Sequence, residues 1–99
     1  MPTQQEDDNL YMQTAMLHAD ISKGVRLQVG ACLVTPSRIL IAGINGLPSA
    51  LGNVLEYWDG QELKTKSEVI HAEQACLNKA AMQGVSVLGS KMYITHLPC

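Results

Sequence analysis

Three kinds of side chain in this sequence could do chemistry together: an imidazole, a carboxylate and a thiol. His71 and Glu73 stand two positions apart in Val69-Ile70-His71-Ala72-Glu73-Gln74, and Cys99 follows Pro98 in Tyr93-Ile94-Thr95-His96-Leu97-Pro98-Cys99. Imidazoles and thiolates bind transition metals, and carboxylates move protons. Taken alone, His-Ala-Glu carries little information, because a half-exposed polar turn accounts for it equally well. Position adds weight. Residues two apart do not share a face in a regular helix, so His71 and Glu73 converge only in a first turn, where the chain is still entering the helix. In an α/β sheet the start of a helix and the C-terminal end of a parallel strand open onto one crevice. That geometry brings Cys99 towards the same place.

The elements that must position these groups are readable from pattern. Ile70 to about Gln83 is apolar at Ala72, Ala75, Cys76, Leu77, Ala80, Ala81 and Met82, with Gly84 as a helix stop. So many alanines predict close packing against a sheet. Upstream, Val29–Val34 and Arg38–Ile44 are two apolar runs around Thr35-Pro36-Ser37, which reads as a hairpin. Neither run alternates cleanly, which predicts helices over both faces. Asn45-Gly46 closes the second strand as a tight turn. A first helix is expected from Asp7 or Asp8 to about Ser22. Its stripe is Leu10, Met12, Ala15, Met16, Ala19 and Ile21, and Lys23-Gly24 ends it. His18 in that helix reads as solvated or hydrogen-bonded rather than as a ligand.

Lys91–Thr95 reads as a third strand. A helix separates it from the hairpin, so it is expected to lie parallel to a neighbouring strand through a right-handed crossover. Between Ala50 and Glu68 periodicity is lost. A connection of that length is often functional; the alternative is an ordered surface excursion pinned by Tyr57 and Trp58. The whole is an α/β domain over residues 9–99, preceded by a disordered tail over residues 1–8.

At 99 residues, with 46% apolar and 16% charged residues, the chain falls in the globular class. A net charge of -2 argues against a non-specific nucleic-acid binder. A small anionic ligand held by local cations stays compatible with it. No run of eighteen apolar residues and no apolar leader is seen, so neither a membrane span nor a signal peptide is expected. Cys32, Cys76 and Cys99 form an odd set that suits a reducing, cytoplasmic setting. Cys32 and Cys76 sit among apolar neighbours and read as small core hydrophobes.

Four segments together resemble the zinc-dependent cytidine/deoxycytidylate deaminase superfamily, and within it the deoxycytidylate (dCMP) deaminases, phage forms included. They are Arg26-Leu27-Gln28-Val29-Gly30-Ala31, Gly43-Ile44-Asn45-Gly46-Leu47-Pro48, Val69-Ile70-His71-Ala72-Glu73 and Tyr93-Ile94-Thr95-His96-Leu97-Pro98-Cys99. The long connection between Asn45 and His71 favours dCMP deaminases over tRNA adenosine deaminases. The resemblance implies a three-layer α/β/α sandwich and hydrolytic deamination of dCMP to dUMP, with a homo-oligomer as the full-length form. It implies Zn2+ held by His71 and Cys99, and Glu73 as the proton shuttle for a zinc-activated water. It also implies that Asn45 contacts the sugar and base edge and that the Ala72 backbone helps hold the base. Arg26 is a candidate phosphate contact, with a solvated strand-flanking charge as its alternative reading.

The departures from the family pattern are equally specific. A catalytic zinc needs three protein ligands and a water, and His71 and Cys99 supply two. Cys76 lies five positions along the helix and points away. Ala75 stands where the family commonly has Asn. The family's second Cys, a helix and further strands are not in the sequence, so it reads as an incomplete deaminase domain. Two other readings stay open: a catalytically inactive deaminase-like protein that binds a nucleotide or a partner, and a deaminase of free cytidine or of tRNA adenosine.

Overall fold

A computed structural model describes residues 1–47 and 52–96. Helix α1 (Gln4–Ala19) is followed by strands β1 (Gly30–Val34) and β2 (Leu40–Ile44). A hairpin of β3 (Glu56–Asp59) and β4 (Glu62–Thr65) comes next, then helix α2 (Ala72–Gln83) and strand β5 (Lys91–Ile94). The main sheet has the order β2-β1-β5, and β3-β4 form a separate two-stranded sheet.

The expected hairpin is present, with Cys32 opposite Ala42 and Leu33 opposite Ile41. β1 is buried along its whole length because both of its faces are covered. Cys32 and Val34 pack with Tyr11 and Ala15 of α1 and with Tyr93, while Val29, Ala31 and Leu33 pack with Ala72 and Cys76 of α2. This is the three-layer α/β/α arrangement. Two glycines let the helices approach. A β-carbon on Gly30 would lie 2.0 Å from the Ala15 carbonyl oxygen of α1, and one on Gly43 would lie 2.4 Å from that of Ala72 in α2. Both clashes are with backbone, so neither can be relieved by a side-chain rotation.

Three expectations are corrected. First, β5 pairs antiparallel with β1, Cys32 opposite Tyr93, and has no parallel neighbour among the described residues. The crossover through α2 does return the chain in the direction of β2, but β1 lies between them. Second, α1 starts at Gln4, inside the segment expected to be a disordered tail. Thr3 caps it in a reciprocal capping box: its hydroxyl accepts the Glu6 N–H at 3.1 Å, and the Glu6 carboxylate accepts the Thr3 N–H at 2.9 Å. The buried stripe of α1 is Tyr11, Ala15 and Ala19, leaving Leu10, Met16 and Ile21 of the expected stripe more than half exposed. Third, the connection between β2 and α2 is not pinned by Tyr57 and Trp58, which are exposed; among its described residues Leu55 and Glu56 are the buried ones.

The expectations for His18, the two cysteines and Gly84 hold. His18 bonds through Nδ1 with the Thr14 carbonyl oxygen at 2.8 Å. Cys32 and Cys76 are free and fully buried. Gly84 ends α2 in the left-handed conformation, with φ 66°. No helix among the described residues is long and apolar enough to cross a membrane.

Candidate functional site

The site begins at the join between β2 and α2. Gly46 and Ile70 exchange backbone hydrogen bonds at 3.1 and 2.7 Å, an isolated antiparallel bridge. Their neighbours Asn45 and His71 are thereby held side by side. His71 is the N-cap of α2, with an extended backbone (φ -68°, ψ 152°), and its ring makes no capping bond. Glu73 lies in the first helical turn, half-buried. The backbone has the form the spacing argument needs: His71 has not yet entered the helix, and Glu73 lies in its first turn.

His71, Ala72 and Glu73 line a cavity of about 170 Å³ together with Arg26, Asn45 and His96. His96 arrives from the opposite side, because Thr95 is tied to the start of β1. Its N–H donates to the Gly30 carbonyl at 3.0 Å, and its hydroxyl accepts the Gly30 N–H at 3.1 Å. The cavity is smaller than the roughly 300–1,000 Å³ of most small-molecule sites. Roomier hollows exist, one of about 450 Å³ between α1 and Thr95-His96 and one of about 540 Å³ beside Lys23 and Lys79. Neither contains the imidazole of His71 or the carboxylate of Glu73, so chemistry rather than size selects the smaller one.

Asn45 is more committed than the sequence suggested. Its amide oxygen accepts from the Ser22 hydroxyl and from the Val29 N–H at 2.9 Å, and its amide nitrogen donates to the Leu27 carbonyl at 2.8 Å. These partners fix the amide's orientation. The carboxamide thus organises the loop before β1, and among the described residues its second N–H meets no acceptor. Ser22 and Thr65 were not among the sequence candidates. Ser22 is buried against Asn45, and Thr65 of β4 reaches the cavity wall. Nothing local in the sequence marks either, since both arrive through long-range pairing.

Of the two expected metal ligands, His71 lies among the described residues. His71 offers an untethered imidazole beside a carboxylate, whereas Cys99, the other expected ligand, lies outside the described residues. Among the described residues no group of three His, Cys, Asp or Glu side chains is gathered to hold a metal ion. Cys76 cannot complete such a set. It is buried, its thiol donates towards the Ile41 carbonyl at 3.5 Å, and burial pushes its pKa up, which disfavours the thiolate that a metal needs.

Comparison with known proteins identifies the family. Residues 5–99 match the family model described as the cytidine and deoxycytidylate deaminase zinc-binding region. The chain is 36% identical to a probable deoxycytidylate deaminase of Drosophila melanogaster, over 93% of this chain and 49% of that protein. It is 38% identical to the deoxycytidylate deaminase of Mus musculus, over 90% of this chain and 52% of that protein. The chain therefore spans about half the length of these curated relatives. Among solved structures, the dCMP deaminase of the cyanophage S-TIM5 in complex with dCMP and dUMP superposes with a TM-score of 0.87 at 37% identity. That match covers 99% of this chain and 71% of the phage chain.

Proposed function

We propose, since this chain belongs to the cytidine and deoxycytidylate deaminase zinc-binding family, that it carries the base-binding and proton-transfer part of a site converting dCMP to dUMP. The observation that carries this reading is the cavity at the start of α2. There a free imidazole, a half-buried carboxylate, an oriented carboxamide and a guanidinium face one space.

His71 and Cys99 are the residues that would hold zinc. When bound, the metal supplies Lewis acidity that brings the pKa of a water close to neutrality. Glu73 is the group that would take a proton from the attacking water and give it to N3 of the cytosine ring, and would then carry a second proton, from the hydroxyl now on C4, to the amino group that leaves as ammonia. Asn45 offers its remaining N–H to the sugar or base edge, while its other bonds keep it from rotating. The Ala72 backbone borders the base. Arg26 is the only permanent cation on the cavity wall among the described residues, and it suits the phosphate. A cytoplasmic, homo-oligomeric enzyme belongs to the same proposal and rests on the family resemblance. The net charge of -2 supports a small nucleotide over tRNA as the substrate.

The test is metal content and ammonia release. Zinc bound to the purified protein at one per chain, and lost on His71→Ala or Cys99→Ser, would favour the catalytic reading over the inactive one. With dCMP, cytidine and a tRNA anticodon stem as substrates, dCMP is expected to be preferred. Glu73→Gln should lower turnover by about 10²–10⁴-fold while leaving zinc bound. A chain with no zinc and no release of ammonia from dCMP would sink the claim that it is itself the enzyme. Equal turnover with and without the 5′-phosphate would sink the monophosphate assignment.

A further inference from the structure

The hairpin β3–β4 reaches back to the site through Glu56 and Thr65. Glu56 opens β3 and is only 8% exposed, although it is the one acidic residue buried among those described. A single carboxylate oxygen accepts two consecutive backbone donors, the Val25 N–H at 2.9 Å and the Arg26 N–H at 3.0 Å. Successive N–H groups turned onto one oxygen form a small anion-binding concavity, and here the protein's own carboxylate fills it. Charge-assisted bonds of this kind are about twice as strong as neutral ones. Opposite Glu56 in the hairpin register stands Thr65, whose hydroxyl lies 3.4 Å from the Arg26 guanidinium. Arg26 and Thr65 both line the cavity that holds His71 and Glu73.

We infer that Glu56 is a positioning residue. From the hairpin, its buried carboxylate clamps the Val25-Arg26 backbone and so sets Arg26 and Thr65 on the cavity rim, making the hairpin the element that reads the phosphate end of the substrate. This rests on the nucleotide reading above and assigns the selection of a charged substrate to the β2–α2 connection. The charge pattern supports it. Among the described residues on the cavity wall, the Glu73 carboxylate repels a phosphate and the Arg26 guanidinium attracts it. The Ser22-Asn45 network holds the same loop from its opposite side, at Leu27 and Val29, so Glu56 is what holds its Arg26 half.

The experiment compares wild type, Glu56→Gln and Glu56→Met by amide hydrogen exchange and by titration with dCMP and with deoxycytidine. In wild type the Val25 and Arg26 amides should be protected. In Glu56→Met their exchange should accelerate, and the preference for dCMP over deoxycytidine should fall by about tenfold or more, the size of one lost bond to a charged group. Affinity for deoxycytidine should be unchanged, which a merely structural role would not leave intact. Glu56→Gln keeps an acceptor oxygen and should restore protection with part of the preference. Unprotected Val25 and Arg26 amides in wild type overturn the clamp whether or not Glu56→Met folds. An unchanged dCMP preference in a folded Glu56→Met overturns the role in selection. Wild type that binds neither ligand overturns the nucleotide reading and the selection role with it, while the exchange data still decide the clamp.

Discussion

Cys32 shows how tightly single positions are held in this small domain. Its thiol is fully buried between the sheet and α1, and burial, followed by the nearby Cys76, pushes its pKa up to about 11 from an ordinary 9.0. The neutral thiol is therefore favoured in the folded state. As pH rises from 9.0 towards 11, the unfolded chain loses its thiol proton first and the folded chain lags, so stability present below pH 9.0 is lost across that window. The thermal midpoint of the wild type should fall over this range, and Cys32→Ala should flatten the first part of that fall. An identical slope in both proteins would mean that Cys32 is not a linked group. His71 and Glu73 were legible from the sequence as a pair because the N-cap position is local information. Glu56 was not. A lone carboxylate in an aperiodic run looks solvated, and its partners Val25 and Arg26 lie some thirty positions away.

At the scale of elements, the fit between α2 and the sheet decides where the site sits. A β-carbon on Gly43 would meet the Ala72 carbonyl oxygen at 2.4 Å and the Cys76 sulfur at 2.9 Å. Gly43→Ala must therefore push away the first turn of α2, which carries Glu73 and follows His71. We expect a loss of about 1–3 kcal/mol in chemical denaturation. Gly46→Ala, where an added β-carbon meets nothing within 4 Å, should stay within about 0.5 kcal/mol of wild type. Equal effects of the two would show that α2 is not seated on Gly43. The hairpin β1–β2 and helix α2 were readable because their periodicity and stops agree. Two further signals stood in the sequence unused. Thr3 and Glu6 carry the capping-box spacing, and Asp59-Gly60 is a hairpin turn, with Gly60 at φ 66° and Asp59 paired to Glu62. The burial phase of α1 was not readable, because its apolar residues lie all round the helix and only the sheet selects the Tyr11 side. Nor was the antiparallel neighbour of β5, since a crossover fixes strand direction but not which strand lies alongside.

The whole molecule is elongated, 53 × 27 × 21 Å, with a Cα radius of gyration of 14.6 Å. A compact domain of this length would have about 13 Å. We expect the β3–β4 hairpin, whose residues Tyr57, Trp58 and Asp59 are exposed, to account for the excess. Replacing residues 57–64 by a two-residue turn, which preserves the pairing of Glu56 with Thr65, should bring the solution radius towards about 13 Å in small-angle scattering. The helical signal in circular dichroism should not change. A radius that stays put would place the elongation elsewhere.

The bridge between Gly46 and Ile70 acts on the chain between them as a clasp does on a necklace. Whatever residues 47–69 do, their two ends leave and re-enter the domain at one point. Doubling the length of such a closed excursion costs only about 0.6 kcal/mol of chain entropy. The clasped segment can therefore be lengthened, shortened or exchanged while Asn45 and His71 keep their places. Under the proposed function, reaction and substrate choice are then separately tunable. Mutational drift in the excursion can redraw what enters the cavity without disturbing the groups that would act on it.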